Sequence, residues 1–591
     1  MAEPVTLESG IASDSPVSPQ RERVTLTGSE ALVRTLRAAG VTDFFGIAGG
    51  SLVRVFKAIA ADPALRFVGT RHEAAGGLMA AATYAGTGRL AACIGEQGPG
   101  SLNLLSGMGN AYNNNLALVA VTSSPPTTLS HPFHGMFMEW DATTAFRPYT
   151  KHSAQANAAR RVPQLVREAV RAALTGRPGP AHVDMPSDVL FETAEYDVAE
   201  LDAPRESYVP TLRPAGDPTA VEEAAELLAR AERPLLIAGG GVARSDATAE
   251  LREVMRCVNA LGTATQMGIG AVDSTSPSFI GHGGVIGGPA VLRAMREADV
   301  VLSVGCRFSS WMWDGHAPAV TGGPSQRVVQ VDVDPAMLGR LLPVDVAILG
   351  DAKVVLGQLL EALADRTVAA DEDSRWARSL VEEYQAHRTA LEALAAQRLD
   401  PMHPATLAKA IGDWLPPDSL VVYDGGHTTF WSNELTPATE TRTRFHDPGM
   451  AQLGFGTPYA LALKLQYPDR PVISTIGDGS FGFTIQELDT ARRYGLNVVN
   501  VLHDNEAFGI IRAGQEHNGF ELGGDLAGTD YVEIARAFGC HGERVTRPEE
   551  IGPALDRALQ SGLPAVVDVR VRFEPYPSLD AFRRMAMPPP R

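Results

Sequence analysis

Asp478 and Asn505 are the residues whose types and spacing most directly define a chemistry. Asp478 lies in Gly477-Asp478-Gly479-Ser480, directly after the apolar run PVISTI. Asn505 closes the run NVVNVLHDN, 27 positions later (505 minus 478). If a helix returns the chain to a parallel neighbouring strand, the acid and the amide meet outside the carboxyl ends of two strands, where open α/β sheets collect ligands. Hard oxygen donors at such a point suit Mg²⁺, which keeps phosphate oxygens among its ligands. The glycines allow backbone N–H groups to approach a diphosphate closely. The segment therefore predicts a magnesium-diphosphate site.

The elements that must position this pair follow from the rest of the chain. Its 591 residues are too many for one core, and length alone suggests about three or four domains. Short apolar strands alternate with helical stretches, the pattern of parallel sheets covered by helices. The fold class read from this is α/β, with three consecutive doubly wound parallel-sheet domains. The first unit, 25–193, carries DFFGI, RFVGT, LAACIG, LALVAVTS and AHVDM; a Pro- and acid-rich linker at 194–215 follows. The second unit, 216–365, carries PLLIAG, VVLSVG and RVVQVDV, and a charged, helix-prone connection spans 366–400. The third, 401–575, carries LVVYD, PVISTIGDG, NVVNVLHD and PAVVDVRV. Three units of similar size suggest duplicated architecture, without a residue-level repeat.

Composition excludes several classes. A formal charge of −18 argues against a nucleic-acid surface, which needs clustered Lys and Arg. Cys93, Cys257, Cys306 and Cys540 form no CxxC pair and read as buried thiols of a reducing compartment. No apolar run reaches the roughly 18 residues of a membrane span. The Ser-, Pro- and acid-rich start, 1–24, lacks an apolar signal region and reads as a disordered leader, and the expected location is cytoplasmic. Residues 576–591 read as a frayed tail or as a flap over the active site.

The segment IGDGSFGFTIQEL…VLHDN resembles the cofactor motif of thiamine-diphosphate-dependent enzymes, in the branch containing acetolactate synthase, pyruvate oxidase and benzoylformate decarboxylase. The resemblance implies that Asp478 and Asn505 bind Mg²⁺ through their side chains and Ala507 through its carbonyl, with Gly479 and Ser480 on the diphosphate. Asp504 stands where the family often has a second Asn. Arg71-His72-Glu73 is similar to the family's Arg-His-Glu segment, so Glu73 is the expected partner of the pyrimidine N1′ of thiamine. A carboxyl there favours the imino tautomer, whose 4′-nitrogen takes the proton from C2. Gln97-Gly98-Pro99-Gly100 resembles the family's Gly-Pro-Gly turn, with Gln where Ser or Ala is more usual. By position, Leu453 is the residue that wedges thiamine into its bent form, the carbonyl of Ala451 receives the 4′-amine, and Gly425, Gly426 and His427 flank the diphosphate. The same resemblance implies that Glu73 serves a site on another chain, in a homodimer or homotetramer with active sites at subunit interfaces.

Substrate signals are weaker. Acetolactate synthases carry Phe-Gln-Glu where this chain has Phe137-Met138-Glu139, and a Trp after the metal loop where it reads Gly509-Ile510-Ile511-Arg512-Ala513. Both departures argue against an ordinary acetolactate synthase. FAD is not expected, since Gly239-Gly240-Gly241 alone is a weak nucleotide signal. His131, His134, Glu139 and Glu506 are candidate catalytic side chains. Gly305-Cys306-Arg307-Phe308 with Trp311 and Trp313 resembles a segment of oxalyl-CoA decarboxylases and 2-hydroxyacyl-CoA lyases, whose middle domain holds CoA or ADP. The expected activity is decarboxylation of a small-molecule 2-oxo acid with or without carboligation; the alternative is a lyase acting on acyl-CoA thioesters.

Overall fold

The computed structural model describes residues 22–577, apart from 131–132, 285–286, 315–316 and 372–373. It contains three six-stranded sheets, each parallel throughout. Numbered by sequence within its own sheet, the first (Asp43–Gly46, Arg66–Gly69, Ala92–Gly95, Leu118–Ser124, His152–Gln155, Pro180–Pro186) has spatial order 2-1-3-4-6-5. The third (Leu420–Asp424, Arg444–Phe445, Val472–Gly477, Val499–Asp504, His541–Val545, Ala565–Arg570) has the same order. The middle sheet, from Pro234–Ala238 to Val346–Leu349, runs 3-2-1-4-5-6, the dinucleotide-fold order. Duplication thus joins the outer two sheets and leaves out the middle one.

The central strands are apolar on both faces because helices cover both sides, and Leu420–Asp424 and Val499–Asp504 are buried along their whole length. One apolar cluster runs from the first sheet unit into the third: Phe45, Leu78, Met79 and Leu104 pack with Tyr459, Leu461, Leu463 and Val472. The helix Glu73–Thr87 lies against Gly456–Gln466 within this cluster. It also crosses Pro99–Asn113 at a glycine pair, where a Cβ on Gly107 would stand 2.8 Å from the Cα of Gly77. The middle unit has a separate core around Leu236, Val301 and Val329.

Two expectations at the chain's margins need correction. The leader read as 1–24 ends earlier, because Arg23–Thr27 is a strand pairing antiparallel with Thr193–Asp197. That same pairing turns the start of the expected 194–215 linker into structure. Both strands are short and only Tyr196 in them is buried, so neither carried an apolar signal in the sequence. In the tail, Tyr576 is buried against Trp431; the flap expected at 576–591 otherwise lies outside the described residues, as does His131. No helix among the described residues is long and apolar enough to cross a membrane.

Candidate active site

In the third sheet the topological switch falls between Leu420–Asp424 and Val472–Gly477, and the glycine segments follow those two strands. Gly425 has φ +92°, and a Cβ on it would come 2.9 Å from Ser480 Oγ. A Cβ on Gly479 would meet the Phe508 ring at 2.8 Å. These positions leave backbone exposed where a side chain would intrude, a cradle suited to a diphosphate. Asp424 accepts hydrogen bonds from Gly456 N–H (2.7 Å) and Gly454 N–H (3.4 Å), and burial pushes its carboxyl up to about 7.

Asp478 is buried and opens a short helix directly after its strand. Gly477 pairs with His503 on the neighbouring strand, which brings the loop after Asp504 beside it. The Asp478 carboxylate accepts from the backbone N–H groups of Gly479 and Glu506; burial, and then the adjacent Asp504 carboxyl, raise its pKa. Asn505 Oδ1 accepts from Ala507 N–H at 3.1 Å. Among the described residues no cluster of three His, Cys, Asp or Glu side chains is placed to hold a metal. The donors expected from the sequence are of another kind: the Asp478 carboxylate, the Asn505 amide oxygen and the Ala507 carbonyl. All three are hard oxygens, and a buried acid beside a second acid is the environment a divalent cation relieves. The residues fit Mg²⁺.

Beside the glycine cradle lies a cavity of about 440 Å³ including its mouth, lined by Asp424, Gly425, Gly426, His446, Ala451 and Leu453, among others. Leu453 is half-buried and faces this space. Ala451 holds a left-handed φ of +52°. His427 is buried beside Phe573, with ring centroids 5.8 Å apart. Glu73 does not line the cavity. It stands at the N-terminus of its helix, 8% exposed, and accepts from Asn103 Nδ2 at 2.9 Å.

Three family models match the chain in order: the N-terminal thiamine pyrophosphate binding domain over residues 26–145, the central domain over 221–359, and the C-terminal thiamine pyrophosphate binding domain over 424–569. A protein named probable acetolactate synthase large subunit from Methanocaldococcus jannaschii is 32% identical over 92% of this chain and 92% of its own. The acetolactate synthase isozyme 2 large subunit of Escherichia coli is 31% identical over 92% and 96%, and the acetolactate synthase large subunit of Corynebacterium glutamicum 30% over 92% and 86%. The chain belongs to the thiamine pyrophosphate enzyme family. Its three α/β sheet units correspond to the family's N-terminal, central and C-terminal domains.

Within this family frame, the other expected site residues divide into two groups. Gln97 donates from Nε2 to the Phe137 carbonyl at 3.2 Å, and a Cβ on Gly98 would stand 2.8 Å from Met138 Cβ. The loop with His134, Met138 and Glu139 therefore sits against the Gln97-Gly98 turn of the N-terminal domain. Glu139 turns back on its own loop, accepting from His134 N–H (3.1 Å) and Met136 N–H (2.9 Å). His134 is exposed, its Nδ1 3.1 Å from the Leu129 carbonyl. Glu506 belongs to the C-terminal domain, with φ +54°, and pairs with Arg570 Nη2 at 2.5 Å.

Sequence reasoning missed Asn103, Arg570 and Asp447. Arg570 bridges Glu506 and Asp504, the latter at 2.6 Å, from the end of the last strand. A charged residue closing an apolar strand at the carboxyl edge was its available signal. Asp447 accepts from Asn110 and Asn114 of the N-terminal domain and from the N–H groups of Met450 and Gln452. It fixes the loop carrying Ala451 and Leu453, and no local pattern marks it. In the central domain, a crevice at the switch point is lined by Gly240, Gly241, Gly305, Arg244 and Arg307. Trp311 and Trp313 donate to the carbonyls of Pro448 (2.6 Å) and Phe308 (3.1 Å), so both serve packing, Trp311 across the domain boundary.

Proposed function

We propose that this thiamine-pyrophosphate-dependent enzyme decarboxylates a 2-oxo acid and joins the remaining carbon unit to an acceptor carbonyl, with Mg²⁺ as the resident metal. What supports the reading is that adjacent strands bring Asp478 and the Asn505–Ala507 loop together beside a glycine-lined cavity edged by Leu453. The chain's similarity to proteins named acetolactate synthase large subunit supports the carboligase side. When bound, thiamine diphosphate supplies a nucleophilic carbon and an electron sink. The Asp478 and Asn505 side chains and the Ala507 carbonyl hold Mg²⁺. Gly425, Gly426, His427, Gly479 and Ser480 would flank the diphosphate, Leu453 would support the cofactor from the cavity wall, and the Ala451 carbonyl would accept from its amine.

Glu73 would hold a proton at the pyrimidine N1′ of a site on a neighbouring chain, and the working form would then be at least a dimer. Asn103 orients that carboxyl. Gln97, His134, Glu139 and Glu506 are the polar groups assigned to the substrate end. The central crevice is proposed to seat a nucleotide such as ADP or that of CoA, because Arg244 and Arg307 face it without a carboxylate partner among the described residues. A lyase acting on acyl-CoA thioesters gains no support from Trp311 and Trp313, which are engaged in packing.

The test is steady-state turnover of a panel of 2-oxo acids and 2-hydroxyacyl-CoA thioesters by protein supplied with thiamine diphosphate and Mg²⁺, following CO₂ and 2-hydroxyketone products. Carbon dioxide release with a ligated product is expected. Turnover of thioesters alone overturns the proposal.

A further inference from the structure

Glu96 lies at the carboxyl edge of the first sheet, directly after Ala92–Gly95, where that sheet's strand order reverses. Its surroundings are built around it. Ser51 N–H donates to both carboxyl oxygens, at 3.2 and 3.1 Å, and Ser51 Oγ donates to Oε1. Ser123 Oγ pairs with Ser51 Oγ and accepts from Gln97 N–H at 3.0 Å. With Gln97 N–H donating to it, Ser123 Oγ passes its own proton toward Ser51, whose proton points to Glu96. Every donor in this hydrogen-bonded chain converges on the Glu96 side chain, which fixes where it sits. Gly49 closes over it so tightly that a Cβ there would come 1.7 Å from Glu96 Oε2.

The position is equally specific. A Cβ on Gly100 would stand 3.0 Å from Glu96 Cβ and 3.1 Å from Glu73 Oε1, so the two acids flank one glycine. The next residue, Gln97, holds the loop bearing Met138. Glu96 remains partly exposed on this edge. We propose that Glu96, set by Ser51 and Ser123, is a specificity-determining residue: it fixes a negative charge at the substrate end of the site and rejects 2-oxo acids bearing a second carboxylate. Like charges at short range in a partly desolvated site repel strongly, whereas an uncharged or hydrogen-bond-donating side chain is accepted. This inference rests on the 2-oxo-acid reading above.

The experiment compares kcat/KM for 2-oxoglutarate and for its isosteric 5-amide, 2-oxoglutaramate, in the holoenzyme. The expected wild-type preference for the amide is at least tenfold. Glu96→Gln should reduce that preference to near unity, while Glu96→Asp should retain it even if overall turnover falls. A wild-type enzyme that uses both substrates equally overturns the proposal, as does an amide preference in Glu96→Gln equal to the wild type's. A purely structural role for Glu96 would lower both rates together and leave their ratio unchanged. If the wild type turns over no 2-oxo acid of any kind, the functional reading fails and this proposal fails with it.

Discussion

Asp447→Asn should loosen the loop that carries Ala451 and Leu453, at nearly constant side-chain volume. Oδ1 of Asp447 accepts from Asn114 Nδ2 (2.5 Å) and Met450 N–H (3.0 Å), and Oδ2 from Asn110 Nδ2 (2.8 Å) and Gln452 N–H (2.9 Å). Whichever way the new amide turns, its NH₂ faces two donors. The asparagines cannot simply flip to accommodate it: Asn110 Oδ1 accepts from Tyr459 at 2.7 Å and Asn114 Oδ1 from Gly449 N–H at 3.0 Å. Two hydrogen bonds to a charged group are lost, at about 1.5–3 kcal/mol each. Removing a carboxyl whose ionisation burial already disfavours returns part of this, leaving a net destabilisation of about 2–4 kcal/mol. The loop also forms one wall of the cavity proposed to hold the cofactor, so the dissociation constant for thiamine diphosphate should rise about tenfold if only 1.4 kcal/mol reaches the bound state. Denaturant unfolding and a cofactor titration by intrinsic fluorescence would measure the two effects. Wild-type values in both would refute the view that Asp447 holds this loop.

Other outcomes are expected from the same geometry. Glu73→Gln should abolish C2–H exchange of bound thiamine diphosphate, followed by NMR, while leaving its affinity within a few-fold; undiminished exchange would remove Glu73 from the proton path. Asp478→Ala should lose Mg²⁺-dependent cofactor binding in calorimetry, and tight binding that still responds to Mg²⁺ would displace the metal assignment. Glu434 is fully buried near Arg388, His282, Tyr384 and Tyr576, and burial pushes its carboxyl up to about 7. An acid whose folded pKa is raised stays protonated in the fold while the unfolded chain ionises. Stability therefore falls between about pH 4.5 and 7 and levels off above. Glu434→Gln should flatten this stretch of the stability profile, with a gain of at most about 3 kcal/mol at pH 8. A profile as steep as the wild type's would assign the slope to other groups.

How much of this was legible in the sequence depends on how local each interaction is. Val472–Gly477 and Val499–Asp504 announce themselves as apolar runs ending in glycine and polar residues, and their adjacency follows from the helix-length spacing between them. Glu73 was singled out by the resemblance of Arg71-His72-Glu73 to a family segment, and the structure places it at the start of a helix directly after a strand. Asn103, Asp447 and Glu96 were not, and Arg570 was marked only by its place at a strand end, because each acts through a partner that only the tertiary fold brings near. Arg570 meets Asp504 across adjacent strands 66 positions apart, and Asp447 meets Asn110 across 337. The antiparallel pair of Arg23–Thr27 with Thr193–Asp197 escaped notice for a related reason: the burial of each strand is slight until the other is present.

Met138, Ala451 and Glu506 share an uncommon backbone state, with φ of +58°, +52° and +54°, on three separate loops of the candidate site. A side chain in this region costs about 1–2 kcal/mol relative to glycine. Glycine at any of these positions would be the cheaper solution for the fold alone. The side chains stand in the loop against the Gln97-Gly98 turn, in the wall of the cavity lined by Leu453, and in the loop after Asp504. The scaffold thus tolerates local expense where each loop must aim a group or a carbonyl in one direction. In a consensus-stabilised or thermally selected descendant, these three positions are where gains in robustness and losses in turnover would be bought together.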